Sequence, residues 1–302
     1  MLDTIGFIGL GIMGLPMTKN LLKAKFPVTV FDLNTAAVND AVAAGATAAA
    51  SARDLAADTN IIIIMVPDTP DVEIVLFDDN DIANGLRANK LVIDMNSISP
   101  EATIKFAERI NALGCDYLDA PVSGGEVGAI SGKMTIMVGG PQAAFDRAKR
   151  AFDAMGSTVT LIGTRNGDGQ VCKVANQIIG GVMVNAVAEA LLFADKAGAD
   201  AGRVREALLG GAVSSFILEN HGGRMLSRNF DPTFRANLQR KDLSLAIEAC
   251  NKLNLVLPQA TAAWETYNAT IAGGDGDNDA ISVLKTLERL AGHEIGGPYE
   301  RQ

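Results

Sequence analysis

Ligands for soft metals are scarce: the chain has two histidines, His221 and His293, and three scattered cysteines, Cys115, Cys172 and Cys250. Without a His-x-x-x-His pair or a paired-cysteine spacing, no dedicated metal site is expected. Three distant thiols are also too few for a disulfide framework, which points to separate reduced thiols and a cytoplasmic setting. Basic side chains are outnumbered, 26 against 35 acidic, for a formal net charge of −9, and no basic patch interrupts that balance. Neither a nucleic-acid partner nor an anionic lipid surface is therefore expected. No import leader or secretion signal is visible before the strand pattern that begins within a few residues of the start. The most apolar stretches are Ile61 to Val66 and Ile178 to Phe193. The first is too short, and the second too often broken by Asn185, Glu189 and glycine, to be expected to cross a membrane.

Hydrophobic residues make up 48% of the 302, enough for two packed domains. Short apolar runs at Thr4 to Leu10, Pro27 to Phe31, Ile61 to Val66, Leu91 to Met95 and Tyr117 to Ala120 alternate with helical patterns such as Pro16 to Ala24, Asn34 to Ala43 and Pro100 to Leu113. That alternation predicts crossover units on a mostly parallel, doubly wound α/β sheet. The unbroken run Ile61 to Val66 fits a central strand covered on both faces. Met134 to Val138, a helix from about Ala143 to Met155, and Val159 to Ile162 complete a first domain over residues 1–162. From Gln170 to Ala197 a proline-free helical pattern runs about 42 Å, too long for a crossover helix. Helical patterns then follow at Arg203 to Leu209, Ser215 to Glu219, Lys241 to Lys252, Pro258 to Ala269 and Ile281 to Ala291, with Gly273 to Asn278 read as a solvated loop. Residues 163–302 are therefore expected to form an all-helical domain. The apolar surface of its long helix is more than one small domain can cover, which predicts a homodimer or homotetramer.

Gly9-Leu10-Gly11-Ile12-Met13-Gly14 follows an apolar strand and opens a helix. Three glycines at this spacing let a strand turn sharply, let backbone approach a pyrophosphate and let the helix pack close to the sheet. Asp32, after Val28-Thr29-Val30-Phe31, lies about 20 residues on, where a carboxylate binds an adenine ribose. Its charge opposes a 2′-phosphate, and Leu33 and Asn34 offer no guanidinium to offset it, so NAD is expected in preference to NADP. Asp94 to Pro100 places Ser97 at the carboxyl end of the sheet as a candidate cofactor contact, with Ser99 as a helix cap. Asp119 to Gly125 ends in a Ser123-Gly124-Gly125 turn suited to a small anionic group, and equally readable as an ordinary turn.

One lysine stands apart. Lys173 is the sole cation on its helix before Lys196, with no ionisable residue between it and Glu189 and with Asn176 at i+3 on the same face. Desolvation there can bring an amine into the range of proton transfer, and the same pattern also suits a lysine extending from a core helix. Lys241-Asp242, read as the opening of a later helix, is a second candidate for the cofactor cleft, and by itself also reads as a surface pair.

In this order the motifs resemble the β-hydroxyacid dehydrogenase family. Phe7 to Gly14 is similar to its opening signature, and Gly167-Asp168-Gly169-Gln170-Val171-Cys172-Lys173-Val174-Ala175-Asn176 to its catalytic helix. The resemblance covers essentially the whole chain. It implies an NAD-dependent enzyme acting on a small hydroxyacid or semialdehyde, with Lys173 as catalytic acid and base and Asn176 orienting substrate. Ser123, Gly124 and Gly125 would take the substrate carboxylate, and Ile12, Met13, Val66, Pro67, Ser97 and Lys241 would line the cofactor. Met65 to Pro70, Asp116 to Glu126 and Lys173 to Ile179 are closer to a semialdehyde-reducing branch, whose usual Leu-His-x-Lys-Asp and Asp-His-Ser-Ala are replaced by Leu238-Gln239-Arg240-Lys241-Asp242 and Asp277-Asn278-Asp279-Ala280. A dehydrogenase for another short hydroxyacid, 3-hydroxyisobutyrate among them, would keep all of these residues and change only the pocket. A non-catalytic dinucleotide sensor would keep the glycine turn and Asp32 and have no use for Lys173, Asn176 and the Ser123 turn together.

Overall fold

In the computed structural model, which describes residues 3–79 and 81–296, the chain up to Lys173 packs as one unit and the chain from Val174 onward as a second. The first unit opens with β1 (Ile5–Ile8), α1 (Gly14–Lys23), β2 (Val28–Phe31), α2 (Thr35–Ala43) and the two-residue β3 (Thr47–Ala48). It continues through α3 (Ala52–Asp58), β4 (Ile61–Ile64), α4 (Thr69–Phe77), α5 (Ile82–Gly85), β5 (Leu91–Asp94), α6 (Pro100–Asn111) and β6 (Asp116–Asp119). These six strands pair in parallel in the order β3-β2-β1-β4-β5-β6, which is the doubly wound arrangement, with the order reversing beside β1.

The expected central strand holds: Ile61 and Ile63 pack into the core on one face of the sheet, Ile62 and Ile64 into the core on the other. The helices α3, α4 and α5 were not among the patterns read from the sequence. They are short, and what starts α4 is local: the Asp68 side chain accepts from backbone N–H groups while Asp71 accepts from Asp68 N at 3.0 Å, with Pro70 in the first turn. Beyond β6 the sheet stops being parallel. After β7 (Val122–Ser123) and α7 (Gly125–Ser131), β8 (Met134–Gly139) runs antiparallel to both β6 and β7, and β9 (Gly156–Gly163), reached through α8 (Gln142–Met155), lies parallel to β8.

The long helix α9 (Asp168–Lys196) has 29 residues, or about 43 Å of helix. Its first six residues pack with the first unit and the rest with the second. By length and composition α9 is apolar enough to cross a membrane, and half of its apolar window is buried in the protein.

In the second unit α10 (Ala201–Leu209), α11 (Gly222–Leu226), α12 (Ala236–Leu253), α13 (Pro258–Thr270) and α14 (Val283–Ala291) surround a core of Leu191, Leu243, Tyr267, Ile281 and Leu284. Two expectations are corrected. Lys241 does not open its helix: α12 starts five residues earlier, where Ala236 N and Asn237 N donate to the carbonyls of Asn278 and Gly276. Gly273 to Asn278 is not merely a solvated loop, because Asp275 is buried and takes Lys285 at 3.0 Å and Arg289 at 2.9 Å. Asp279, only 1% exposed, gathers Thr233 N and Oγ1, each at 2.7 Å, with Phe234 N at 3.2 Å and Arg224 at 3.0 Å. Its bonds hold the 230–235 segment to the turn before α14.

Burial alone would raise the Asp279 carboxyl, but the Thr233, Arg224 and Ile281 hydrogen bonds hold it below its ordinary value. A carboxyl lowered by folding stabilises where it is ionised, and that contribution is lost as pH falls through its native titration. Asp279→Asn is therefore expected to lower the free energy of unfolding by about 3 kcal/mol at pH 7. In urea melts that gap should narrow once the pH drops below about 4. A gap that stays constant from pH 7 to pH 3 would mean that the charge contributes nothing.

Candidate active site

The glycine turn separates what the fold requires from what it leaves open. A Cβ on Gly9, whose φ is +93°, would meet Met65 O at 2.1 Å, and one on Gly14 would meet Gly9 O at 1.8 Å. On Gly11 it would meet nothing within 4 Å. Packing therefore accounts for Gly9 and Gly14 but not for Gly11, whose bare backbone leaves clear space beside the start of α1. That start carries no side-chain cap and no acid in its first turn, so its dipole favours an anion such as a pyrophosphate, although Leu15 N already donates to Gly11 O and Pro16 has no N–H. Ile12 is 64% exposed at the same edge, with Met13 half-buried behind it. Asp32 is fixed at the end of β2, accepting from Leu10 N at 2.5 Å and Asn34 N at 2.6 Å, while Asn34 caps α2.

Next along the carboxyl edge of the sheet lies a buried polar chain. The Tyr117 hydroxyl donates to Asp94 at 2.9 Å, Asp94 accepts from Asn96 N at 2.9 Å and Asn96 Nδ2 at 2.5 Å, and Asn96 Oδ1 accepts from Val66 N. Burial pushes the fully enclosed Asp94 carboxyl up to about 6 despite the Asn96 and Tyr117 hydrogen bonds. The chain ties the Val66-Pro67 segment to the loop carrying half-buried Ser97. Gln170 grips that loop from α9: its Nε2 donates to Asn96 O at 2.7 Å and its Oε1 accepts from Ile98 N at 3.2 Å.

Asp119 fixes the start of α9, its carboxylate accepting from Gly167 N at 2.7 Å and Gln170 N at 2.9 Å. Close approach is possible because residue 169 is glycine: a Cβ there would meet Met137 O at 2.5 Å. Lys173 follows one turn beyond Gln170, 8% exposed, and its Nζ donates to Val122 O at 2.9 Å. The next three residues are Ser123, Gly124 and Gly125, with φ of +130° and +58° at the two glycines, so the lysine head is bonded to the strand that enters the expected substrate turn.

In the second unit Asn176 Nδ2 donates to Gln177 Oε1 at 2.7 Å, and Gln177 Nε2 donates to Asp242 Oδ2 at 2.5 Å. Lys241 pairs with Asp242 at 3.1 Å, and Gln239, buried against Gly181, donates to Gln177 O at 3.5 Å. Asn176 and Lys241 thus belong to one polar string in that unit, and Lys173 and Asn176 are one turn apart on the continuous α9. Sequence reasoning quoted Asp119 and Gln170 without assigning them a role. For Asp119 the available signal was a polar residue ending an apolar run at the carboxyl edge of the sheet.

A glycine turn at the switch point of a doubly wound sheet, a fixed ribose-type carboxylate and a bare helix start define a dinucleotide-binding protein. Residues 4–163 match the NAD binding domain of 6-phosphogluconate dehydrogenase, and residues 167–287 the NAD-binding domain of NADP-dependent 3-hydroxyisobutyrate dehydrogenase. The chain is 48% identical over 291 residues to 2-hydroxy-3-oxopropionate reductase of Escherichia coli K12, covering 96% of this chain and 99% of that protein. Its fold matches 3-hydroxyisobutyrate dehydrogenase of Salmonella typhimurium with a TM-score of 0.85 at 33% identity, over 94% of this chain and 99% of the other. The Mycobacterium tuberculosis 3-hydroxyisobutyrate dehydrogenase with L-serine gives 0.86 at 30% identity, over 95% and 99%. The chain belongs to the NAD-binding β-hydroxyacid dehydrogenase family, and is an NAD-dependent oxidoreductase of a small hydroxyacid or its semialdehyde.

If Asp32 sets the choice of dinucleotide, Asp32→Asn keeps an acceptor for the Leu10 amide and removes the charge. The ratio of kcat/KM with NADPH to that with NADH is expected to rise about tenfold, an energy of about 1.4 kcal/mol. An unchanged ratio would remove Asp32 from cofactor selection.

Proposed function

We propose that the protein reduces 2-hydroxy-3-oxopropanoate (tartronate semialdehyde) to glycerate with NADH, and that Lys173 is its proton donor. The observation that carries the reading is the buried Lys173 head, bonded to Val122 O immediately before the Ser123-Gly124-Gly125 turn. The 48% identity to a reductase named for that substrate supports the choice among semialdehydes. Bound NADH supplies the hydride that adds to the aldehyde carbon. The Ser123 hydroxyl and the amides of Gly124 and Gly125 hold the substrate carboxylate, a small anion suited to donors on a tight turn. Lys173 gives a proton to the oxygen as it gains negative charge, and Asn176, one turn on, orients the substrate. In the oxidising direction the neutral amine takes the hydroxyl proton back. Gly9, Gly11, Ile12, Met13 and Gly14 would hold the cofactor, with Asp32 for the ribose, Val66, Pro67 and Ser97 along the sheet edge, and Lys241 as a further contact.

Lys173→Ala is expected to lower kcat by about two to four decades while NADH affinity, followed by fluorescence, stays within a few-fold. Wild-type turnover in that variant would refute the assignment. Substrate choice is tested by NADH oxidation with 2-hydroxy-3-oxopropanoate, methylmalonate semialdehyde and succinate semialdehyde in parallel. Preference for either of the last two would retain Lys173 and move the substrate, directing attention to Gln239.

The protein is also read as a homodimer or homotetramer. Ile179 and Phe193 of α9 are 60% and 75% exposed, and Phe193 lines an apolar groove with Leu287 and Leu290 of α14. Apolar surface of that kind calls for a cover, and a second copy supplies it. Sedimentation at micromolar concentration should give at least twice the protomer mass, and Phe193→Asp should shift it toward the monomer. A monomeric wild type would overturn this reading.

A further inference from the structure

Gln170 is fully buried and precedes Lys173 by three residues on α9, so the two side chains lie on one helix face. Both reach backbone at the carboxyl edge of the sheet, but different parts of it. Gln170 spans Ser97 by holding Asn96 O at 2.7 Å and Ile98 N at 3.2 Å, whereas Lys173 holds Val122 O at 2.9 Å. The helix between them is locked by Asp119, which accepts from the Gln170 amide itself at 2.9 Å. A side chain that only filled space would not need a donor and an acceptor matched to the two backbone groups that flank Ser97. Burial also makes either group costly if its partner is lost.

We infer that Gln170 is a positioning residue: its amide sets the spacing between the Ser97 loop and the Lys173 Nζ, and so the alignment of cofactor and proton donor. The inference rests on Lys173 being the proton donor. No other side chain matches Gln170 in both hydrogen bonds except a protonated carboxylic acid of the same length, whose hydroxyl donates to Asn96 O while its carbonyl accepts from Ile98 N. Ionised, that acid loses the donor and sets a charge against Asn96 O.

Gln170→Glu therefore makes the role titratable. The charged and titratable groups facing position 170 are Asp119 beneath its amide, Asp94 beyond Asn96, and Lys173 one turn on. All three are common to wild type and variant, but an ionised acid at 170 also favours the charged form of Lys173, so Gln170→Met, which carries no charge, is the control that separates placement from electrostatics. Burial and the carboxylates of Asp119 and Asp94 act to raise the new acid and the Lys173 ammonium acts to lower it, and in either case it is more largely neutral at pH 5.5 than at pH 8.5. At pH 8.5 the variant's kcat is expected to fall about ten- to a hundredfold below wild type, the scale of a displacement of about 1 Å at a reacting centre. At pH 5.5 the deficit should shrink to within about threefold. Gln170→Met, apolar and of similar length, should lose a similar factor at both pH values with NADH affinity within a few-fold. Its primary deuterium isotope effect from 4-deuterated NADH should be larger than wild type, because the hydride step becomes limiting.

Equal kcat for both variants and wild type would overturn the inference, as would a deficit of Gln170→Glu that does not depend on pH. If Gln170→Glu does not fold, Gln170→Met decides alone: an unchanged kcat and isotope effect refute the positioning role. Lys173→Ala, run beside them, separates the two claims. Wild-type turnover there removes the proton donor and with it the premise, whereas loss there together with an indifferent position 170 overturns only the present inference.

Discussion

Everything that gives Lys173 a defined place begins with the buried carboxylate of Asp119. A helix of 29 residues has four amides at its start without partners inside the helix, and their positive end favours an anion. Asp119 supplies one from the last position of β6, taking the amides of Gly167 and Gln170. Burial raises this carboxyl, and the backbone hydrogen bonds work against that rise. Because the anchor is the end of a strand, the helix takes its register from the sheet. The absent side chain of Gly169 lets the two backbones come close enough for the bonds to form.

From that anchor the side chains of α9 become measured distances from the sheet edge. Gln170 meets the loop after β5, and Lys173 meets the strand β7. The other side of the arrangement is held by the chain of Tyr117, Asp94, Asn96 and Val66, which ties the loops after β4 and β5 to β6. Polar chains of this kind are stable when every member finds a partner, and a broken member leaves a buried group without one. The first unit therefore presents its glycine turn, its Ser97 loop and its lysine as parts of one connected framework. The second unit holds Asn176 and Lys241 by a separate string through Gln177 and Asp242.

The doubly wound sheet, the central strand, the glycine turn with Asp32 and the long helix were all legible, because each rests on a pattern local to a few dozen residues. The run of four isoleucines announced burial on both faces, whereas the absence of charge between Lys173 and Glu189 suggested a largely buried helix, of which only half the apolar window is buried. Short helices such as α3 and α5 were not legible, since four to seven residues carry too little periodicity to separate from loop. The antiparallel turn-back at β8 depends on pairing with β6 across twenty residues, which no local pattern encodes. Lys241 was placed at a helix start because Arg235 to Arg240 shows little apolar periodicity. Its helix in fact begins where carbonyls of Gly276 and Asn278, some forty residues away, accept the first amides. Asp275 was read as part of a solvated loop for the same reason: Lys285 and Arg289, which hold it, come from another segment.

The partner chosen for Lys173 bears on what the residue can do. Val122 O is a carbonyl, and a carbonyl accepts a hydrogen from an ammonium and from a neutral amine alike. The bond that fixes the head can therefore persist through a change of protonation, where a bond that needed the charge would weaken with it. A group that gives up a proton in one direction and recovers it in the other must stay in place in both forms, since misplacement costs more in rate than a small mismatch in proton affinity. Rigid placement by Asp119 at the helix start and a charge-indifferent contact at the side-chain tip together meet that requirement. The same reasoning explains why the neighbouring position carries an amide: Gln170 offers a donor and an acceptor that do not change with pH, so the spacing it sets is the same in either protonation state of the lysine.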